Sequence, residues 1–291
     1  GTTETLGKLG AINALPGAFA ACVAAGLSVY LMTRFGLPVS TTQAIVGAIV
    51  GWNIYTGSST NTKILITILS TWILCPIIAG LIAMFFYVLA KKFIHSSKLH
   101  ILRLDAYTRA ALILAGAFGA YSLGANNIAN VMGVFVPISP FTDINVMNIF
   151  IFSSKEQLFL LGGIAIAIGV FTYSRRVMFT VGNDLSKMSP VAAFIVVISH
   201  SIVLFLFASQ GISNFLQSIN LPSIPLVPVS SSQAVVGAVI GIGLLKGGKE
   251  VRWSVAGKIS LGWVTLPVIA ALMSFMILFI LQNIFNLTVN F

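Results

Sequence analysis

Charge is what this chain has least of. Only six residues are acidic and charged side chains make up 8% of it, against roughly 25% in soluble domains. So few carboxylates leave little material for acid–base or metal-assisted chemistry, and no Ser/His/Asp or metal-ligand constellation gathers around the three histidines, which speaks against an enzyme. Cysteine is scarce too. Cys22 and Cys75 each sit inside an apolar segment, where a lone thiol behaves as a small hydrophobe, so neither a disulfide nor a metal site is expected. The chain opens at Gly1 without a Met or a signal-peptide pattern, and its natural beginning is expected upstream.

What is abundant is apolar surface: 57% of the residues are hydrophobic and the mean hydropathy is +1.02. Runs near 15–35, 64–90, 110–136, 157–173, 191–212 and 254–281 suffice for helices crossing a hydrocarbon core, which takes about 20 residues. The expected fold class is therefore all-α, a polytopic protein of the cell membrane. The net charge of +10 raises the question of nucleic acid, but its placement argues for topology instead. Thirteen of the sixteen Lys and Arg are Arg34 or fall in three connections, Lys91 to Arg109, Arg175 to Lys187 and Lys246 to Lys258. These connections are expected to be cytoplasmic, with Lys8, Lys63 and Lys155 outside. Lipid or partner binding by the first connection is a secondary possibility.

One stretch is written twice. "PVSTTQAIVGAIVG" (38–51) returns as "PVSSSQAVVGAVIG" (228–241), with nine of fourteen positions identical. Trp72 and Pro76 are matched downstream by Trp263 and Pro267, and upstream Thr5 and Pro16 by Thr180 and Pro190. The chain is thus two related halves, divided as 1–95, a basic cytoplasmic connection 96–109, and 110–291. Laid over the charge pattern, the spans 15–35 and 191–212 run in opposite directions. That predicts inverted repeats, a plan in which short or interrupted helices meet at a central site.

Pro38 and Pro228 mark breaks from which new helices start. Ser40, Thr41 and Thr42, like Ser230, Ser231 and Ser232, then occupy first turns, where up to four backbone N–H groups lack partners and the macrodipole leaves about half a positive charge. Hydroxyls there either cap their own helix or, with the free N–H groups, bind an anion. Two inverted copies aimed at one point suit a tetrahedral oxyanion. Two helix ends supply only about one positive charge, so a co-bound cation is expected. "SLGANNIANVMG" (122–133) places Asn126, Asn127 and Asn130 in an otherwise apolar span, as oxygen ligands for a monovalent cation or as interhelical hydrogen-bond partners. His200, alone in its span, is a proton relay or a structural hydrogen-bonding group. Gln43 and Gln233 orient the anion or bond to neighbouring helices.

Taken together, "GANNIAN" (124–130), both Pro-hydroxyl blocks and "TVGNDLSKMSP" (180–190) resemble the inorganic phosphate transporters of the PiT type, over nearly the whole chain. The resemblance implies a sodium-coupled phosphate symporter with alternating access, forming homodimers in the bilayer. It implies phosphate contacts from Ser40, Thr41, Thr42, Gln43, Ser230, Ser231, Ser232, Gln233, Asn126 and Asn127, and sodium ligation by Asn126, Asn127, Asn130 and Thr180. Sodium is then a co-substrate, no cofactor is implied, and nucleic acid is not a partner. Three departures stand out. Asn127 occupies a place where the family usually has Asp, Gln43 and Gln233 places where His is common, and the first signature copy is absent, expected about 50 residues upstream of Gly1. Alternatives are a symporter for sulfate or another tetrahedral oxyanion, a proton-coupled phosphate symporter and, from another class, an anion channel.

Overall fold

The computed structural model describes residues 2–10, 12–97, 100–147, 149–186 and 188–291; Gly1, Lys98 and Lys187, which entered the reading of the chain start and the basic connections, lie outside them. In chain order the helices are α1 (Thr2–Leu9), α2 (Leu15–Arg34), α3 (Thr41–Thr56), α4 (Thr62–Ser97), α5 (Ile101–Met132), α6 (Ser154–Tyr173), α7 (Arg175–Phe179), α8 (Pro190–Ala208), α9 (Gln210–Ser218), α10 (Ser231–Leu245) and α11 (Trp253–Asn283). Among the described residues, six of them, α2, α4, α5, α6, α8 and α11, are long and apolar enough to cross a membrane. They coincide with the six apolar runs of the sequence.

The structure departs from those expectations in two places. Helix α5 begins at Ile101, so most of the basic stretch 96–109 is helical; the His100 imidazole caps it, accepting from Leu102 N–H at 3.3 Å. Between α5 and α6 a small antiparallel hairpin, β1 (Ile144–Val146) and β2 (Phe150–Phe152), pairs Ile144 with Phe152. Its β-branched and aromatic residues suit a strand, but runs of three carry no readable period, and an all-helical expectation passes over them.

The short helices organise the bundle. At 16 and 15 residues, α3 and α10 are about 24 and 22 Å long, less than a hydrocarbon core of about 30 Å. Each lies along the long, proline-bearing helix of the other half, α3 on α11 and α10 on α4. The contact is built the same way twice. A Cβ at Gly47 would strike the Pro267 backbone and one at Gly51 the Ala271 backbone; equivalently, Gly237 abuts Pro76 and Gly241 abuts Gly80. Without a hydrophobic drive between helices in lipid, small residues four apart are what let backbones approach this closely. Trp52 closes the far end of α3, buried and donating to Val289 O at 3.2 Å.

Candidate functional site

The two hydroxyl blocks meet. Each follows an extended residue, Ser40 (φ −102°, ψ 119°) and Ser230 (φ −82°, ψ 106°), whose hydroxyl accepts from the N–H three residues on, Gln43 and Gln233, both at 3.3 Å. Both serines are buried helix caps, so the local capping role is realised in each half, worth about 1 kcal/mol apiece. The halves are then joined directly, with Thr42 Oγ1 donating to Val229 O at 3.0 Å.

Helix α5 locks this junction. The Asn126 side chain, fully buried, donates to Val229 O at 2.9 Å and accepts from Val229 N–H at 3.0 Å. It thereby supplies the two-way pairing that a neighbouring strand gives elsewhere. Val229 precedes the α10 cap, where no helical partner is available for its amide, so both ends of the Asn126 amide are committed to holding the α10 entrance. One turn along, Asn130 Nδ2 donates to Thr42 Oγ1 (2.9 Å), Thr41 Oγ1 (3.3 Å) and Asn127 Oδ1 (3.3 Å). Asn127 Oδ1 also receives Asn126 Nδ2 at 3.3 Å and the Thr41 hydroxyl at 3.4 Å. One carboxamide oxygen thus faces three long donors, a place where a carboxylate would be held more strongly.

Among the described residues, three buried acceptors at this junction have no donor: Gln43 Oε1, Gln233 Oε1 and Asn130 Oδ1. Each unsatisfied group costs about 1–3 kcal/mol, and carbonyl oxygens are the ligand type that hard cations take. The glutamines occupy matched positions in the two sequence blocks, and both carry the same unpartnered oxygen.

Hydroxyls of the two blocks line two cavities. Ser231 and Ser232 line a cavity of about 460 Å³ together with Pro38, Val39, Gly182 and His200, whereas Thr41 and Asn130 line a separate one of about 230 Å³ with Cys22 and Gly26. Thr180 lies at the connection into the first block, in a π-helical turn (Thr180–Leu185), its hydroxyl donating to Gly36 O at 2.7 Å. Cys22 and Cys75 are free thiols, and Cys75 Sγ reaches Ser230 O at 3.6 Å. His200 is buried, and among the described residues its Nε2 has no hydrogen-bond partner.

Two participants escaped sequence reasoning. Val229 acts through its backbone, and the signal for it was its place in the duplicated Pro-Val-Ser. Trp263 donates from Nε1 to Pro38 O at 3.1 Å, while Nε1 of its counterpart Trp72 is buried without a partner among the described residues; in the sequence both mark only the repeat.

The model of the phosphate transporter family matches residues 3–104, 100–214 and 219–290. Among similar proteins, one of Methanocaldococcus jannaschii, provisionally named a phosphate permease, is 29% identical over 260 residues, covering 89% of this chain and 74% of its own. Sodium-dependent phosphate transporter 1 of Homo sapiens is 26% identical over 157 residues, 54% of this chain and 21% of its own. A solved structure titled the sodium-dependent phosphate transporter superposes with a TM-score of 0.72 at 22% identity, covering 98% of this chain and 86% of that one. A fold of membrane-length helices around paired short ones, with a family match running along almost the entire sequence, places this multi-pass integral membrane protein in the phosphate transporter family.

Proposed function

We propose that the protein is a sodium-coupled inorganic phosphate symporter working by alternating access across the α3–α10 junction. The observation that carries this is the trio of buried, donorless oxygens, Gln43 Oε1, Gln233 Oε1 and Asn130 Oδ1, beside two helix N-termini tied together through Thr42 and Val229. Positive helix ends and hydroxyls suit an oxyanion, and carboxamide oxygens suit a hard monovalent cation or a proton still carried by the anion. The charge balance favours using both. Two helix ends offer about one positive charge, a phosphate near neutral pH carries about 1.5 negative ones, and one sodium ion more than covers the shortfall.

In this scheme Thr41, Thr42, Ser231 and Ser232 donate to phosphate, while Asn127, Asn130 and the glutamines supply oxygens to sodium. Asn126 is a positioning residue whose amide is occupied by Val229. Ser40 and Ser230 hold the helix starts as caps, and Thr180 acts at the Gly36 connection. Inverted repeats, divided near 96–109, are supported by the reciprocal glycine contacts of α3 on α11 and α10 on α4. Alternation is supported by the unequal tryptophans, since Trp263 is docked on Pro38 and Trp72 is not hydrogen-bonded. That is the inequality expected when two equivalent halves hold one exit closed and the other free to move. The sodium-dependent relatives agree with the coupling ion, and a homodimer is the proposed assembly.

A proton-coupled version has one observation in its favour, the buried His200 with its free Nε2 beside Ser231 and Ser232. Radiolabelled phosphate uptake by full-length protein in proteoliposomes separates the two. Stimulation by an inward sodium gradient at constant pH is expected. Uptake driven by a pH gradient and indifferent to sodium would replace the sodium reading with the His200 one, and uptake indifferent to both gradients would dismiss symport.

A further inference from the structure

We infer that the basic cavity where the end of α4 meets α5, α8 and α10 is a binding site for the headgroup of an anionic phospholipid from the leaflet on that side. Tyr87, Lys91 and His95 recur at four-residue spacing along α4, so they share one face of the helix. Two adjoining cavities, of about 380 and 490 Å³, both include these three side chains. The first is completed by Leu104 and by Ser189, the α8 N-cap, and the second by Lys92, Val88 and Leu245. Among the described residues, no acidic side chain lines either one. Two acidic groups nearby in sequence are engaged with lysine or arginine, Glu250 with Lys246 at 2.9 Å and Asp105 with Arg109 at 2.9 Å. Lys246 stands over the Tyr87 ring at 6.0 Å with its charge paired to Glu250, so the net positive charge of the pocket comes from Lys91 and Lys92.

Depth and surroundings select a lipid over a soluble anion. Helix α4 has 36 residues, about 54 Å at 1.5 Å per residue, and Lys91 lies about 44 Å from its start. That distance matches the 40–45 Å thickness of a bilayer with its headgroups. Immediately below the lysines the surface is bare hydrocarbon: Phe85, Val88, Leu89 and Leu245 are exposed. Cations directly above an open apolar wall complement a phosphodiester with acyl chains attached. A soluble phosphate uses only the upper half of such a surface.

The test is native mass spectrometry of the full-length protein in detergent, titrated with dioleoylphosphatidylglycerol or dioleoylphosphatidylcholine. A lysine near an anionic surface contributes about 5-fold, so the pair Lys91 and Lys92 predicts a preference for the anionic lipid of about 25-fold. The double variant Lys91→Gln/Lys92→Gln should lose the preference, Lys91→Arg/Lys92→Arg should retain it, and Lys63→Gln at the opposite end should change nothing. Equal binding of the two lipids by the native protein, or a preference surviving in the Gln variant, overturns the assignment. A parallel titration adds inorganic phosphate against sodium chloride at matched ionic strength. Equal displacement by the two salts is expected, whereas selective displacement by phosphate that requires the lysines would make the free anion the ligand and overturn the lipid.

Discussion

Replacing Asn126 by Leu tests whether the junction is held as described. The substitution keeps the volume and removes both ends of the amide. Val229 N–H loses its partner in a buried position, at about 1–3 kcal/mol. Val229 O fares better, because Thr42 Oγ1 still donates to it at 3.0 Å, and the loss there is that of one ordinary hydrogen bond, about 0.5–1.5 kcal/mol. The single variant is therefore expected to lose about 1.5–4.5 kcal/mol. Thr42→Val alone should cost about 0.5–1.5 kcal/mol, since the Asn130 amide it abandons keeps Thr41 and Asn127 as acceptors. Combined, the two changes orphan the carbonyl as well, and the double variant should exceed the sum of the singles by about 1 kcal/mol or more. Equilibrium unfolding of the full-length protein in mixed micelles reads this cycle. An Asn126→Leu variant within about 0.5 kcal/mol of the native protein, or a coupling energy near zero, would refute the lock and return Asn126 to the pool of open ligands.

Gln43→Leu and Gln233→Leu remove acceptors that lack donors, so each should stabilise the substrate-free protein by about 1–3 kcal/mol while weakening sodium-dependent phosphate uptake; melting in choline chloride and in sodium phosphate reads both effects. Gly47→Ala and Gly237→Ala push a methyl into the Pro267 and Pro76 backbones and should each cost about 1–3 kcal/mol, whereas Gly116→Ala, with nothing within 4 Å, should be neutral or stabilising by up to about 1 kcal/mol; the melting temperatures of the three rank the effects. Thr41→Ala and Ser231→Ala should each raise the KM for phosphate about 10- to 150-fold, the worth of one hydrogen bond to a charged group, with normal expression; unchanged KM in both removes these hydroxyls from the phosphate path. Asn127→Leu should lower the sodium stimulation of uptake, and full stimulation would make Asn127 a packing residue.

The sequence by itself determined the spans, the duplication and the helix starts, because each rests on local physics. Apolar runs of membrane length have no other stable conformation in lipid than a helix, and Pro-Val-Ser followed three residues later by Gln carries its own break and cap. It also determined the family, through motifs that keep their order along the chain. Only the tertiary structure decided how those parts are used. Nothing local in "GANNIAN" says that Asn126 closes on a backbone 103 residues away, while Asn130 turns its amide to Thr42 and leaves its oxygen bare. Nor does it say that Thr41 and Ser231 face separate cavities, or that Thr180 attaches to Gly36. An amide or hydroxyl can donate, accept or cap with similar energy, and the choice is made by whichever unsatisfied partner the packing of α3 on α11 and α10 on α4 brings within 3 Å.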